Sequence, residues 1–167
     1  RIQPGFFEAH YNLGIELQRL GKYDEAIQQF RFYVRFRPDE ASKISADSMI
    51  GRTLMAQGKF DEAAGLFREL LATRPDSPEA RSGLADVLLR QGRHDEAVRE
   101  YREYLRLVPD NASAHHSLGL ALVAGDREED AVEPFSRAVA LQTESAPYRQ
   151  DLGNALAAIG RMDEAIA

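Results

Sequence analysis

Histidines, serines and one glycine-lysine stretch are the groups in this chain of 167 residues whose types invite chemistry. Of the four histidines, His10 and His94 stand alone, while His115 and His116 are adjacent. On a helix, neighbours project about 100° apart and do not chelate one ion together. His94 takes the place that Tyr23 and Phe60 hold in similar stretches, which predicts packing at a turn. Between Gly51 and Lys59 the sequence faintly suggests a phosphate loop. The glycines Gly51 and Gly58 are too far apart, and Phe60 follows the lysine where a hydroxyl should hold magnesium. Serine, histidine and aspartate all occur, but none sits in a motif that would assemble a nucleophilic triad. Arg99, Arg102 and Arg106 make a basic stripe, yet Glu96, Glu100 and Glu103 interleave with it, as on a solvated helix face with ion pairs. No cysteine is present, so disulfides and thiolate metal sites are excluded and the redox compartment is left open. No catalytic residue, metal ligand or cofactor site is expected.

The elements that would position any site follow from a repeat. Gly21-Lys22-Tyr23-Asp24-Glu25-Ala26 returns at Gly58 to Ala63, Gly92 to Ala97 and Gly160 to Ala165, with a degraded copy from Asp126 to Ala131. The closing alanines Ala26, Ala63, Ala97, Ala131 and Ala165 are spaced by 37 and then three times by 34 residues. A fixed period of this size marks a solenoid of small local cores. Each hexapeptide reads as a turn between two helices. Glycine ends one helix because its last residue commonly takes positive φ. Asp24, Asp61, Asp95 and Asp163 are the expected N-caps of the next.

The first helix is expected from about Phe7 to Leu20, with Leu13, Leu17 and Leu20 inward, and the second from about Glu25 to Arg37, stopped by Pro38. Later pairs fall at about 44–57 and 62–73, 79–91 and 96–107, and 113–124 and 129–141, and a fifth pair begins at about 147–159. The three extra residues between Asp39 and Lys43 predict either a longer loop or an extra helical turn. Gly14, Gly51, Gly119 and Gly153, with Ala85, hold one register inside the first helices, where glycine costs about 1 kcal/mol relative to alanine. A small residue there predicts close approach of the partner helix, with the repeat-closing alanines facing it. In the fourth repeat Asp126 replaces the turn glycine and Pro134 falls within the second helix, predicting a kink or a late start there.

Apolar residues at 44% and charged residues at 29% fit a folded, water-facing protein. A net charge of −6 argues against a nucleic-acid partner, which would need cations to neutralise phosphates. The longest apolar run, Leu118 to Gly125, is far short of the roughly 20 residues that span a bilayer, so no membrane insertion by this segment is expected. Nothing at the start reads as a secretory signal, and the compartment stays open between cytoplasm and periplasm or lumen.

The chain resembles the tetratricopeptide repeat family, whose unit joins aromatic-x-x-Leu-Gly-x-x-Tyr to Ala-x-x-x-Phe and then Pro. The first half appears as Leu13-Gly14 with Leu17, Ile50-Gly51 with Leu54, Leu84-Ala85 with Leu88, Leu118-Gly119 with Leu122, and Leu152-Gly153 with Leu156. The second appears as Ala26 with Phe30, Ala63 with Phe67, Ala97 with Tyr101, and Ala131 with Phe135. The leading aromatic is replaced by His10, Asp47, Arg81, His115 and Arg149, and Thr143 stands in place of the closing proline. The resemblance implies an all-α, right-handed superhelical solenoid of helix-turn-helix repeats. A single domain would hold repeats at about 7–40, 44–77, 78–111, 112–145 and a truncated 146–167, with 1–6 as the tail of a preceding repeat.

It further implies a scaffold whose concave groove, lined by the first helix of each pair, binds a protein or peptide segment. The alternative is the substrate-recognition arm of a larger enzyme such as an O-linked glycosyltransferase. Positions two residues either side of the signature leucine would face the ligand: Tyr11, Ser48, Ser82, His116 and Gln150 in one row, Ile15, Arg52, Asp86, Leu120 and Asn154 in the next, with Asn12 and Met55 nearby. Tyr11→Ala and Arg52→Ala are expected to weaken binding with little effect on melting. A chaperone-type clamp for a carboxylate tail would need cations where only Arg52 supplies one. A ladder of groove asparagines is missing too, since Met49, Gly83, Ser117 and Asp151 follow Asn12. An open apolar face at the end of the array predicts end-to-end self-association or fraying over 160–167.

Overall fold

The computed structural model describes residues 5–37 and 39–165, and among them every regular element is an α-helix. In chain order these are α1 (Gly5–Arg19), α2 (Tyr23–Phe36), α3 (Glu40–Ala56), α4 (Phe60–Thr73), α5 (Pro78–Arg90), α6 (His94–Leu107), α7 (Ala112–Ala124), α8 (Glu128–Leu141), α9 (Ala146–Ala158) and α10 (Met162–Ala165). Gly5 and Phe6 belong to α1 rather than to a preceding tail. Pro38 and the last two residues, on which a helix stop and part of a fraying expectation rested, lie outside the described residues.

The chain divides into two compact units, residues 1–87 and 88–167, with the boundary inside α5. In the first unit α1 packs on α2, α2 on α3 and α3 on α4; in the second, α6 on α7, α7 on α8, α8 on α9 and α9 on α10. Sequence neighbours are thus spatial neighbours throughout each unit, as expected for a repeat array.

The turns carry the repeat's signature. Lys22 N–H donates to Leu17 O at 2.9 Å and Gly21 N–H to Gln18 O at 3.1 Å, the paired bonds that close a helix through a left-handed residue. The same pair recurs from Lys59 and Gly58, Arg93 and Gly92, Arg127 and Asp126, and Arg161 and Gly160. The four glycines have φ between 71° and 79°, and Asp126 takes their place at 55°.

The expected aspartate caps are corrected. α2, α4 and α6 start at Tyr23, Phe60 and His94, so the N-caps are Lys22, Lys59 and Arg93, none with a capping side chain. Because the left-handed closure already uses the cationic residue's N–H, that residue's carbonyl begins the next helix at once, as in the bond from Ala26 N–H to Lys22 O. Asp24 is pushed into the first turn, where its charge suits the helix dipole. It also lies 3.9 Å from Lys59 of the following turn, and Asp95 lies 3.7 Å from Arg127 in the same way. The cationic caps pair forward instead, Arg93 with Glu96 at 2.6 Å and Arg161 with Glu164 at 2.6 Å. True side-chain caps begin α3 and α7: Asp39 accepts from Ser42 N–H and Asn111 from Ala114 N–H, both at 2.9 Å.

The 37-residue step is an extra helical turn, since α3 has 17 residues where α5 and α7 have 13. In the fourth repeat the expected late start does not occur: α8 begins at Glu128, directly after Arg127, with Pro134 buried inside it. Asp126 reaches the left-handed region without glycine, so the turn and helix start keep their register. Leu13 and Leu20 are also not inward. Leu13 is 47% exposed, whereas Ile50, Leu84 and Leu118 at its register are buried.

Aromatic rings hold the helix pairs together. A Cβ on Gly14 would stand 2.6 Å from the Phe30 ring, and one on Gly51 or Gly119 would meet Phe67 or Phe135 at 2.5 Å. Phe67 is also covered by Gly83 of the next first helix, where a Cβ would run into the same ring. The small residues therefore admit a ring rather than facing alanines alone, although Ala26, Ala63, Ala97 and Ala131 are themselves fully buried.

Candidate functional site

In the first unit the expected groove positions fall on α1, α3 and α5. Ser48 and Arg52, or Ser82 and Asp86, are one turn apart and share a helix face. Five of them, Tyr11, Ser48, Arg52, Ser82 and Asp86, line one cavity of about 190 Å3. Met49 and Gly83, which stand where an asparagine ladder would, complete its wall together with Ser45 and Glu79, which were not anticipated. The signal for them was in the register, since they lie three or four residues from the expected positions on the same helices.

Two hydroxyls there behave differently. Tyr11 Oη and Ser45 Oγ share a hydrogen bond at 2.9 Å, and the Tyr11 ring packs 5.6 Å from Phe30 and 5.1 Å from Tyr33. Tyr11 is therefore partly a core residue, and the expectation that its loss would spare stability is corrected. Ser48 is 7% exposed, and its Oγ is buried without a hydrogen-bond partner. A buried hydroxyl is usually satisfied, as Thr53 is by the Met49 carbonyl at 2.7 Å. Arg52 is exposed and makes no ion pair among the described residues. Asn12 is exposed, Ile15 and Met55 are half-buried, and none of the three lines the cavity.

In the second unit His116 bridges helices. Its Nε2 lies 2.7 Å from Asp151 Oδ2, and its ring lies 4.5 Å from Tyr148 and 5.6 Å from Phe135. This ties α7 to α9. A cavity of about 200 Å3 beside it takes in Leu120 and Asn154 over a floor that includes Phe135 and Ala155. Asp151, a position of the absent asparagine ladder, stands in its wall with Glu128, which was missed. Gln150 is exposed and outside it.

Three of the residues replacing the leading aromatic share one task. Arg81 donates to Pro75 O, Arg149 donates to Thr143 O, and His115 Nε2 bonds Pro109 O, each at 2.8 Å. They brace the loop before their own helix, so His115 and His116 point to different partners. His94 packs at the turn after α7, its Cβ 3.5 Å from where a Cβ on Gly125 would lie. Among the described residues no three His, Cys, Asp or Glu gather as a metal site, and no helix is long and apolar enough to cross a membrane. Asp47, the polar substitute in α3, has its carboxyl pushed above the ordinary 3.8 by burial. The Ser42 backbone amide holds the Asp39 carboxyl below it.

Models of the tetratricopeptide repeat match residues 48–112 and 95–148, and another matches residues 7–40. No curated protein matches the sequence. Among solved structures, MamA 41-end from Desulfovibrio magneticus RS-1 superposes with a TM-score of 0.80 at 23% identity, over 96% of this chain and 89% of that one. An ArsTM double mutant of MamA RS-1 gives 0.81 at 24% identity, over 96% and 88%. A thermophilic TPR protein from Thermus thermophilus gives 0.74 at 22% identity, over 95% and 86%. At these identities the likeness concerns the fold.

Proposed function

Because the chain belongs to the tetratricopeptide repeat family, we propose that it is a binding scaffold without a catalytic step, holding an extended protein or peptide segment against its first helices. The observation that carries this reading is the first unit's cavity, where side chains of α1, α3 and α5 converge around Arg52, which is exposed and makes no ion pair among the described residues. Exposed guanidinium and half-buried aromatic groups at a concave site are where binding energy usually concentrates. Carboxylates in both cavities and the net charge of −6 oppose a phosphate backbone as the partner.

The test uses a soluble random decapeptide library enriched on the immobilised full chain. The tightest selected peptide is then titrated against Arg52→Ala and Tyr11→Phe, which keep the Tyr11 ring packing. Each is expected to weaken binding by about 1 to 2 kcal/mol, while Arg99→Ala and Arg102→Ala on α6 leave it unchanged. Loss of binding in the α6 variants with full affinity in the others would place the partner on the second helices.

A further inference from the structure

The second unit's cavity differs from the first in a way that specifies its occupant. Its floor and sides are carbon: Leu120, 38% exposed, with Val123, Phe135 and Ala155. Among the described residues its only ionisable groups are the carboxylates of Glu128 and Asp151, with no cationic side chain in the wall. Asp151 is met by His116 on one side, and Glu128 has no ion pair among the described residues. An apolar pocket of about 200 Å3 accepts one aliphatic side chain, and two carboxylates in the same wall favour a cation on the same segment. In an extended peptide, residues two apart point to the same face, so both groups reach one pocket from neighbouring positions.

We propose that the second unit selects a peptide segment in which a leucine, isoleucine or methionine has a lysine or arginine within two residues. The aliphatic group lies over Leu120 and Ala155, and the cation meets Glu128. This inference rests on the first-helix binding reading and narrows it to a basic, aliphatic partner. The charge of the whole chain acts in the same direction, since a net −6 draws a cationic segment inward.

The same decapeptide library, enriched on the full chain at low salt, is the probe. Wild-type protein is expected to enrich peptides carrying that pair several-fold above the library's frequency. Glu128→Gln removes one charge at the start of α8 while keeping its size. It should abolish the cation enrichment and weaken the selected peptides about fivefold, with little further loss in 0.5 M salt, where wild type also weakens. Leu120→Ser should remove the aliphatic preference, and a melting curve on each variant checks that the fold survives. Peptides that depend on Leu120 or Arg52 yet show no excess of lysine or arginine would overturn this inference and leave the scaffold reading standing. Peptides indifferent to Leu120→Ser, Glu128→Gln and Arg52→Ala alike would overturn both, as would no enrichment above bare resin.

Discussion

Replacing Gly51 by alanine separates two physical effects that usually travel together. In a helix interior the change gains about 1 kcal/mol of helix propensity. At Gly51, however, the added Cβ would fall 2.5 Å from Phe67 Cζ, far inside van der Waals contact. The ring cannot swing away, because Phe67 is fully buried and Gly83 closes its other side. Overpacking of this kind typically costs about 1 to 3 kcal/mol, so the net expectation is a loss of about 1 kcal/mol. Gly65, inside α4, is the matched control, since a Cβ there meets nothing within 4 Å. Gly65→Ala should therefore be stabilising, by about 0.5 to 1 kcal/mol. In thermal melts followed by circular dichroism the two variants should move in opposite directions, each by about 2 to 4 °C. Adding Phe67→Leu closes the cycle, because a smaller side chain admits the new methyl and Gly51→Ala should then turn neutral or favourable. Equal gains at Gly51 and Gly65, or a penalty at Gly51 that persists with Phe67→Leu, would refute the idea that the ring dictates glycine here.

Other positions give sharper local tests. Asp126→Gly relieves the left-handed strain at φ 55° and should raise stability by about 0.5 kcal/mol, whereas Gly58→Ala should lose about 1 kcal/mol from φ alone, the space there being open; chemical denaturation reads both. Ser48→Ala removes the unsatisfied hydroxyl and should stabilise the free protein by about 1 kcal/mol, and because that oxygen is sealed from the cavity the selected peptide should bind unchanged. The raised pKa of Asp47 means that the fold prefers its protonated form. Stability from this group falls as pH rises from 3.8 through the folded value and is then constant, so Asp47→Asn should raise the melting temperature at pH 7 and lose that advantage below pH 3.8.

The period, the turn glycines and the inward aromatics were legible because each needs a particular residue type at a fixed spacing. Glycine at Gly21, Gly58, Gly92 and Gly160 marks positive φ that other residues resist, and Phe30, Phe67 and Phe135 fill space that only a missing Cβ leaves open. The helix starts were misjudged because aspartate normally signals an N-cap. The left-handed closure instead spends two residues on one turn and moves the cap back onto the cation. Asp126 looked disruptive, but the bonds from Asp126 and Arg127 back to Val123 and Leu122 keep the turn, and α8 runs on through Pro134. The expected groove positions on α3 and α5 came from the resemblance to the repeat family, which sets the first helix of each pair on the concave side. Glu128 escaped that reading because it reaches its cavity from α8, a second helix, and Glu79 because it lies one turn before the expected row. Arg81, His115 and Arg149 read as lost aromatics, and only the loop carbonyls they bond reveal their use.

The central claim is that the first helices carry the ligand. Nuclear magnetic resonance of the isotopically labelled full chain, titrated with the tightest library-selected peptide, tests it directly. Shift changes should concentrate at Ser48, Arg52 and Ser82 in the first unit or at Leu120, Asp151 and Asn154 in the second. Changes confined to exposed residues of the second helices, such as Arg68, Arg99 and Arg102, would contradict the account.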